Sequence, residues 1–374
     1  MAIFRSAQFS AVALVVAAIA GITVANSAIG PAVTSAVHLY LGPLSIEHWI
    51  TDGLLAIFFF LAALELKHEV VAGELNSVAK AIVPLVAAVG GVVVPAAIYL
   101  LLVRNPAESS GWPIPTATDI AFALGVLALV GKHLPVRIRA LLLALAVIDD
   151  LIAILIIAVA FTTDVNLLAL GGAVVVVVVF ALLSRRAERW IPVALVTLGV
   201  AAWALVLMSG IHATIAGVSL GLVFASSRSA ATRHAIEPWT NAIILPIFAF
   251  VATLVVIPDL TATPLGIVFW AIVVALPVGK LVGITLGGFV VTSITREPGV
   301  PIGDLFVVAA LGGVGFTVSL LMNELAFEGS AAIATQGTLG VLAASLVAII
   351  IGASVGAVRS RYYRLRDPRP TSAQ

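Results

Sequence analysis

Apolar runs long enough to cross a lipid bilayer follow one another almost without interruption, and nothing else in the chain constrains its fold as strongly. A helix needs about 20 apolar residues to span the hydrocarbon core. Twelve such stretches are read, near residues 9–29, 49–66, 80–103, 115–131, 138–161, 166–184, 190–208, 210–225, 240–257, 264–291, 302–325 and 333–358. Only the uncharged pair Ser209-Gly210 separates the seventh from the eighth. Backbone groups in lipid must be satisfied within the protein, so spans of this kind have to be helices. Of the 374 residues, 62% are hydrophobic and 10% charged, where a soluble domain carries about 25% charged residues. That shortfall leaves too little polar surface for water, so the apolar surface faces lipid. The expected fold is an all-α integral membrane protein of about twelve transmembrane helices, forming a single domain over residues 1–374. Pro84, Pro95, Pro246 and Pro277 do not argue against helices, because membrane helices tolerate proline better than soluble ones.

Arg5, the run from Phe9 to Ala25 and the small residues up to Ala28 have the outline of a cleavable signal. Because everything downstream also spans, this segment is expected to stay as the first helix. Lys67, Lys80, Lys132, Arg137, Arg139, Arg185, Arg186, Arg189, Arg228, Arg233 and Arg296 fall at alternate connections. Arg5 joins that side, as does a short basic tail over residues 359–374 with Arg359, Arg361, Arg364, Arg366 and Arg369; only Arg104 lies opposite. The positive-inside rule then puts both termini in the cytoplasm. A net charge of +1 offers no electrostatic grip on nucleic acid. The absence of cysteine excludes thiol chemistry and disulfides. No Ser/His/Asp set, metal motif or nucleotide loop appears, so an enzyme is not expected.

Charges inside spans are costly and tend to be functional. Four stand out: Asp119 after Pro113 and Pro115, the adjacent pair Asp149 and Asp150 in mid-span, and Lys280 in the late run Leu276–Gly283. Neighbouring helix residues point about 100° apart, so both aspartates can reach one cavity only inside a bundle. Carboxylate oxygens suit a hard cation such as Na⁺, and like charges held together disfavour double ionisation. A site that accepts either protons or Na⁺ exchanges them by competition, with Lys280 neutralising one acid while the cation is absent. The bland alternative is a buried ion pair that only fixes packing. The segment around Thr118 and Asp119 is short and interrupted, as is Gly312–Ser319 with its three glycines, and both have the form of discontinuous helices. Asp119 is placed to offset half-helix dipoles. Glu65, His68 and Glu69 close the second span, where a solvated helix end is the plain reading. His212 has no charged neighbour in sequence and is expected to be a hydrogen-bonded structural residue.

These motifs resemble the bacterial sodium/proton antiporter family A. The likeness is carried by Thr118–Val126, Ile148-Asp149-Asp150-Leu151, Gly279-Lys280, Ser209–Thr214, Leu245–Phe250 and Gly313–Thr317, in order along nearly the whole chain, with Ala25-Asn26-Ser27 fitting the end of the first helix. The resemblance implies twelve helices with inverted repeats and two interrupted helices crossing near the midplane. It implies electrogenic, pH-regulated exchange of Na⁺ or Li⁺ for more H⁺, with no cofactor. It assigns Asp149 and Asp150 to the Na⁺ and proton site, Lys280 to Asp149, and Asp119 with Thr118 to the crossing. Glu65, His68 and Glu69 match a pH-sensing cluster at the cytoplasmic mouth. The location implied is a bacterial inner membrane, with dimerisation through an external hairpin at His38–Glu47. The chain departs from the family pattern at that mouth: His68 stands where Arg is frequent, Arg233 where an acid is, and Glu237 where His is, and the sequence around Ala252 also differs. A sodium-driven symporter of an organic anion on a related fold is the alternative, and would need a wider cavity with amide and hydroxyl ligands.

Overall fold

In the computed structural model the described residues are 7–73, 75–162, 165–258, 264–295 and 300–366, with the side chains of residues 78–80 and 295 outside that description. Arg5, Arg296, Arg369 and the Lys80 side chain, counted above in the charge map, therefore lie outside the described residues. Regular structure there is helical except for one antiparallel hairpin, Tyr40–Leu41 against Leu44–Ser45.

The long helices are α1 (Ala7–Ala25), α2 (Ile46–Ala72), α3 (Val78–Leu102), α4 (Ile120–Val130), α5 (Val136–Ala160), α6 (Leu167–Ser184), α7 (Ile191–Met208), α8 (Thr214–Val223), α9 (Ser226–Ala252), α10 (Ile267–Ile294), α11 (Ile302–Gly312), α12 (Phe316–Ala326) and α13 (Ala331–Arg366). Among the described residues nine are long and apolar enough to cross a membrane. Two bent pairs raise the number to eleven: Pro106–Thr116 with α4, at 44°, and α11 with α12, at 48°. The eighth expected span is not a full crossing. It is the ten-residue α8, about 15 Å long against a core of about 30 Å.

The reason lies at its ends. Gly210 adopts a φ of +79°, a left-handed conformation that glycine takes freely, so the chain turns before α8 begins. At the other end the Lys67 ammonium donates to the carbonyls of Leu222 (2.9 Å) and Phe224 (2.6 Å), satisfying terminal acceptors that lipid could not. Gly217 and Gly221 lie directly on the α2 backbone at Ala56 and Phe60, so protein shelters this half-length helix.

Small residues also allow close approach between long helices. A Cβ at Gly90 would run into the Gly283 carbonyl oxygen, and one at Gly283 into that of Gly90. Here α3 and α10 meet backbone to backbone, as small residues allow in membranes. Wide turns interrupt α10 at Ala275–Gly279, around Pro277, and α9 at Thr240–Ile244, between Pro238 and Pro246. Lys280 follows the first of these turns.

Candidate ion site

Both helix breaks meet at one carboxylate. Residues Ala117 and Asp119 are extended, which exposes the N–H groups that open α4. Asp119 caps them, its Oδ1 accepting from Phe122 N at 3.0 Å. Its Oδ2 accepts from Thr317 N at 3.1 Å and Thr317 Oγ1 at 2.7 Å, in the first turn of α12. One negative charge thus serves two half-helix N-termini, each of which carries partial positive charge. The strands of the crossing are tied directly as well: Asp119 N donates to Val314 O at 2.6 Å and Thr118 Oγ1 to Gly312 O at 2.7 Å. The Phe122 and Phe316 rings, 5.0 Å apart, pack the two second halves together.

Asp149 and Asp150 stand in the buried middle of α5. They point to different neighbours. Asp149 Oδ2 forms an ion pair with Lys280, whose stem runs along the bare backbone of Gly91; both side chains are inaccessible to solvent. Asp150, about 100° round the helix, lines a cavity of about 150 Å³ together with Glu65, Thr118, Asp119, Arg233, Glu237, Asn241 and Thr317. Asp149 Oδ1 and Asp150 Oδ1 are buried with no hydrogen-bond partner among the described residues. A buried carboxylate oxygen left in that state costs free energy unless a proton or cation joins it. Two such oxygens on adjacent residues are the chemistry of this site.

The candidate residues at the mouth separate. Glu65 lines the cavity, with Arg233 Nη1 at 3.7 Å from its Oε1. His68 is exposed, and Glu69 is buried with its carboxylate against Gly73; neither lines the cavity. His212 does have a charged neighbour, Asp52 at 3.3 Å, which its own stretch of sequence could not show. The two line a second cavity of about 850 Å³ with Glu47, Asn323 and Glu324, at the opposite end of α2 from Glu65. Phe59, Ile154, Ile157 and Phe248, with Leu320 at the wall of the second cavity, are members of one buried apolar cluster.

Sequence reasoning gave Thr317 no role beyond its motif, although it donates twice to Asp119. It also passed over Ser10, Asp52, Asn241 and Asp304. For Asp52 a signal is present in the sequence, an acid at the fourth position of the apolar run that begins at residue 49. Ser10 and Asn241 stand at the starts of apolar stretches, beside Gln8 and Thr240, and only the packing of α1 and α9 on the site distinguishes them.

The sequence profile of the family described as Na⁺/H⁺ antiporter 1 matches residues 1–355. The chain belongs to that family. Among its relatives is Na(+)/H(+) antiporter NhaA 2 of Clavibacter michiganensis subsp. michiganensis, 50% identical over 97% of this chain and 93% of the relative. Na(+)/H(+) antiporter NhaA of Tropheryma whipplei (strain Twist) is 45% identical over 94% of each. Na(+)/H(+) antiporter NhaA 3 of Streptomyces coelicolor is 44% identical over 96% of this chain and 80% of the relative. Membership identifies a multi-pass membrane transporter and not an enzyme. The organic-anion symporter finds no support: the relatives are named for Na⁺/H⁺ exchange, and a cavity lined by Glu65, Asp119, Asp150 and Glu237 against Arg233 alone suits a cation.

Proposed function

We propose that the protein exchanges cytoplasmic Na⁺ or Li⁺ for external H⁺ at Asp149 and Asp150. The observation that carries this reading is the pair of buried, unpartnered oxygens on adjacent carboxylates, one of which opens onto a charged cavity. Na⁺ as substrate takes oxygen ligands, and Asp150 supplies one at the cavity wall, with Thr118 and Asp119 alongside. A proton arriving at the same oxygen displaces the cation, and the cation displaces the proton. Lys280 makes the exchange electrogenic: its ammonium pairs with the Asp149 carboxylate while the cation is absent, and when Na⁺ takes that carboxylate the stranded ammonium gives up its proton along with the one from Asp150, so more than one proton leaves per Na⁺. The Glu65 side is the cytoplasmic one on the positive-inside distribution of Lys and Arg, which puts both termini in the cytoplasm of a bacterial inner membrane. The apolar cluster around Phe59 and Phe248 then closes the external path. Glu65 and Arg233 at the mouth, with His68 and Glu69 on the same helix end, are the groups assigned to pH control. The exposed hairpin at Tyr40–Ser45, with Tyr40 and Leu41 facing solvent, is the assigned contact for a homodimer.

The test is Na⁺-induced proton flux in proteoliposomes carrying Asp150→Asn. The expected result is no Na⁺-dependent flux from a normally inserted protein. Exchange at the wild-type rate would remove Asp150 from the site.

A further inference from the structure

At the Arg137 end of α5, remote from the ions, Asp304 is fully buried in the first turn of α11. Its carboxylate accepts from Arg137 Nη2 of α5 at 2.8 Å and from Arg359 Nε of α13 at 2.7 Å. The Tyr363 hydroxyl, at 2.8 and 3.0 Å from the two oxygens, donates to it and accepts from Arg137 at 2.9 Å. Arg359 lies over the rings of Tyr362 and Tyr363, and His133 N donates to Ser360 Oγ at 3.3 Å beside them. Three elements therefore converge on one acid that ion exchange itself does not use.

Two of these elements lead directly to the ion site. From Arg137, α5 runs about 18 Å to Asp149. From Asp304, α11 runs about 12 Å to Gly312, whose carbonyl receives the Thr118 hydroxyl. Along that length Ile138, Leu141 and Leu145 of α5 and Leu305, Val308 and Leu311 of α11 belong to one buried apolar cluster. Apolar contact is non-directional: it opposes separation but fixes axial register weakly. Charge-assisted hydrogen bonds are directional, and a buried polar cluster is a known way to set register.

We propose that Asp304 is a positioning residue for ion exchange. Through Arg137 it fixes the register of α5 against α11, and so the placement of Asp150 relative to the Thr118–Asp119 crossing. Arg359 and Tyr363 anchor this pair to α13 without setting the register. The inference rests on the reading of Asp150 as the ion site.

The experiment measures Na⁺-induced proton flux against Na⁺ concentration in proteoliposomes, with thermal stability of the same preparations. Arg137→Ala cuts only the α5 arm, at a side chain half exposed to solvent. It is expected to raise the apparent KM for Na⁺ about threefold or more, because register alters binding and not only the amount of folded protein. Arg359→Ala cuts the α13 arm; stability falls and KM stays at the wild-type value. Asp304→Asn combines both effects, and adding Arg137→Ala to it raises KM no further. Should Arg137→Ala fail to insert, Arg137→Lys keeps the charge without the planar fork and carries the same expectation. A wild-type KM in the Arg137 variant, or an equal rise in KM for Arg359→Ala, overturns the assignment. With Asp150→Asn silent, that failure concerns the register alone; an active Asp150→Asn overturns the reading beneath it.

Discussion

Replacing Lys280 by Ala strands Asp149 in the middle of the bundle. Neither side chain of the pair reaches solvent, and Asp149 Oδ1 has no second partner to take up the charge. Removing one member of a buried ion pair costs about 3–5 kcal/mol. Loss of the lysine stem, packed along Gly91, adds about 2–3 kcal/mol at roughly 0.8 kcal/mol per buried methylene. Asp149→Asn leaves Lys280 equally stranded, again at about 3–5 kcal/mol. The double variant keeps the stem loss but leaves no uncompensated charge, so the two singles should overshoot it by both stranded-charge costs, about 6–10 kcal/mol. A carboxylate without its cation can take up a proton instead, so the loss in Lys280→Ala should shrink as pH falls. The assay is a thermal-unfolding cycle of the four proteins in one detergent at neutral and acidic pH. Additive losses would refute direct pairing, and a pH-independent loss in Lys280→Ala would refute the stranded charge.

Asp119→Asn exchanges a carboxylate that accepts three bonds, each worth about 1.5–3 kcal/mol to a charged group, for an amide with one accepting oxygen. Stability should drop by about 2 kcal/mol or more and Na⁺-dependent flux should fall severely, which unfolding curves and vesicle flux would show together. At the mouth, Arg233→Gln removes the cation 3.7 Å from Glu65 and should move the pH–activity profile to higher pH by less than about one unit, since both groups are one-third exposed and screened. His68→Arg adds permanent charge at an exposed position and should move the profile in the opposite direction and by less. Flux profiles from pH 6 to 9 decide both, and superimposable curves for His68→Arg would make it only a solvated helix-end residue.

What could be read from the sequence was whatever membrane cost makes conspicuous. Asp149, Asp150, Asp119 and Lys280 are visible because charge inside an apolar run is expensive, and the breaks are visible because proline and glycine interrupt the pattern at Pro113–Thr118 and Gly312–Gly315. Pairings across the bundle were not legible. Nothing in a helix of valine, alanine and leucine says which face meets Asp52 or where Arg233 will reach, and those contacts depend on how the helices pack in space. The half-length α8 escaped for a related reason: hydropathy records how apolar residues 210–225 are, not that Lys67 and the α2 backbone relieve that helix of having to cross. Asp304 was hidden by its position, since an acid at the start of a span has the form of an ordinary helix end until two arginines and a tyrosine are seen to enclose it.

The three buried aspartates of the candidate site, Asp119, Asp149 and Asp150, divide the work according to what each already has. Asp119 accepts three donors on two oxygens, so its charge is committed to holding two half-helices at the crossing, and a proton there would forfeit contacts that keep the breaks aligned. Asp149 commits one oxygen to Lys280 and leaves the other free. It can therefore change state only when the lysine does, which links the conformation of α10 to the charge at the site. Asp150 has neither cation nor donor on its free oxygen and faces the cavity, so on the proposed reading it is the acid whose state follows the ions outside. Because α5 carries the last two side by side, about 100° apart, a change of occupant at Asp150 alters the repulsion felt by Asp149 and hence the hold on Lys280. On the proposed reading, this arrangement would couple ion exchange to helix movement across a single peptide bond.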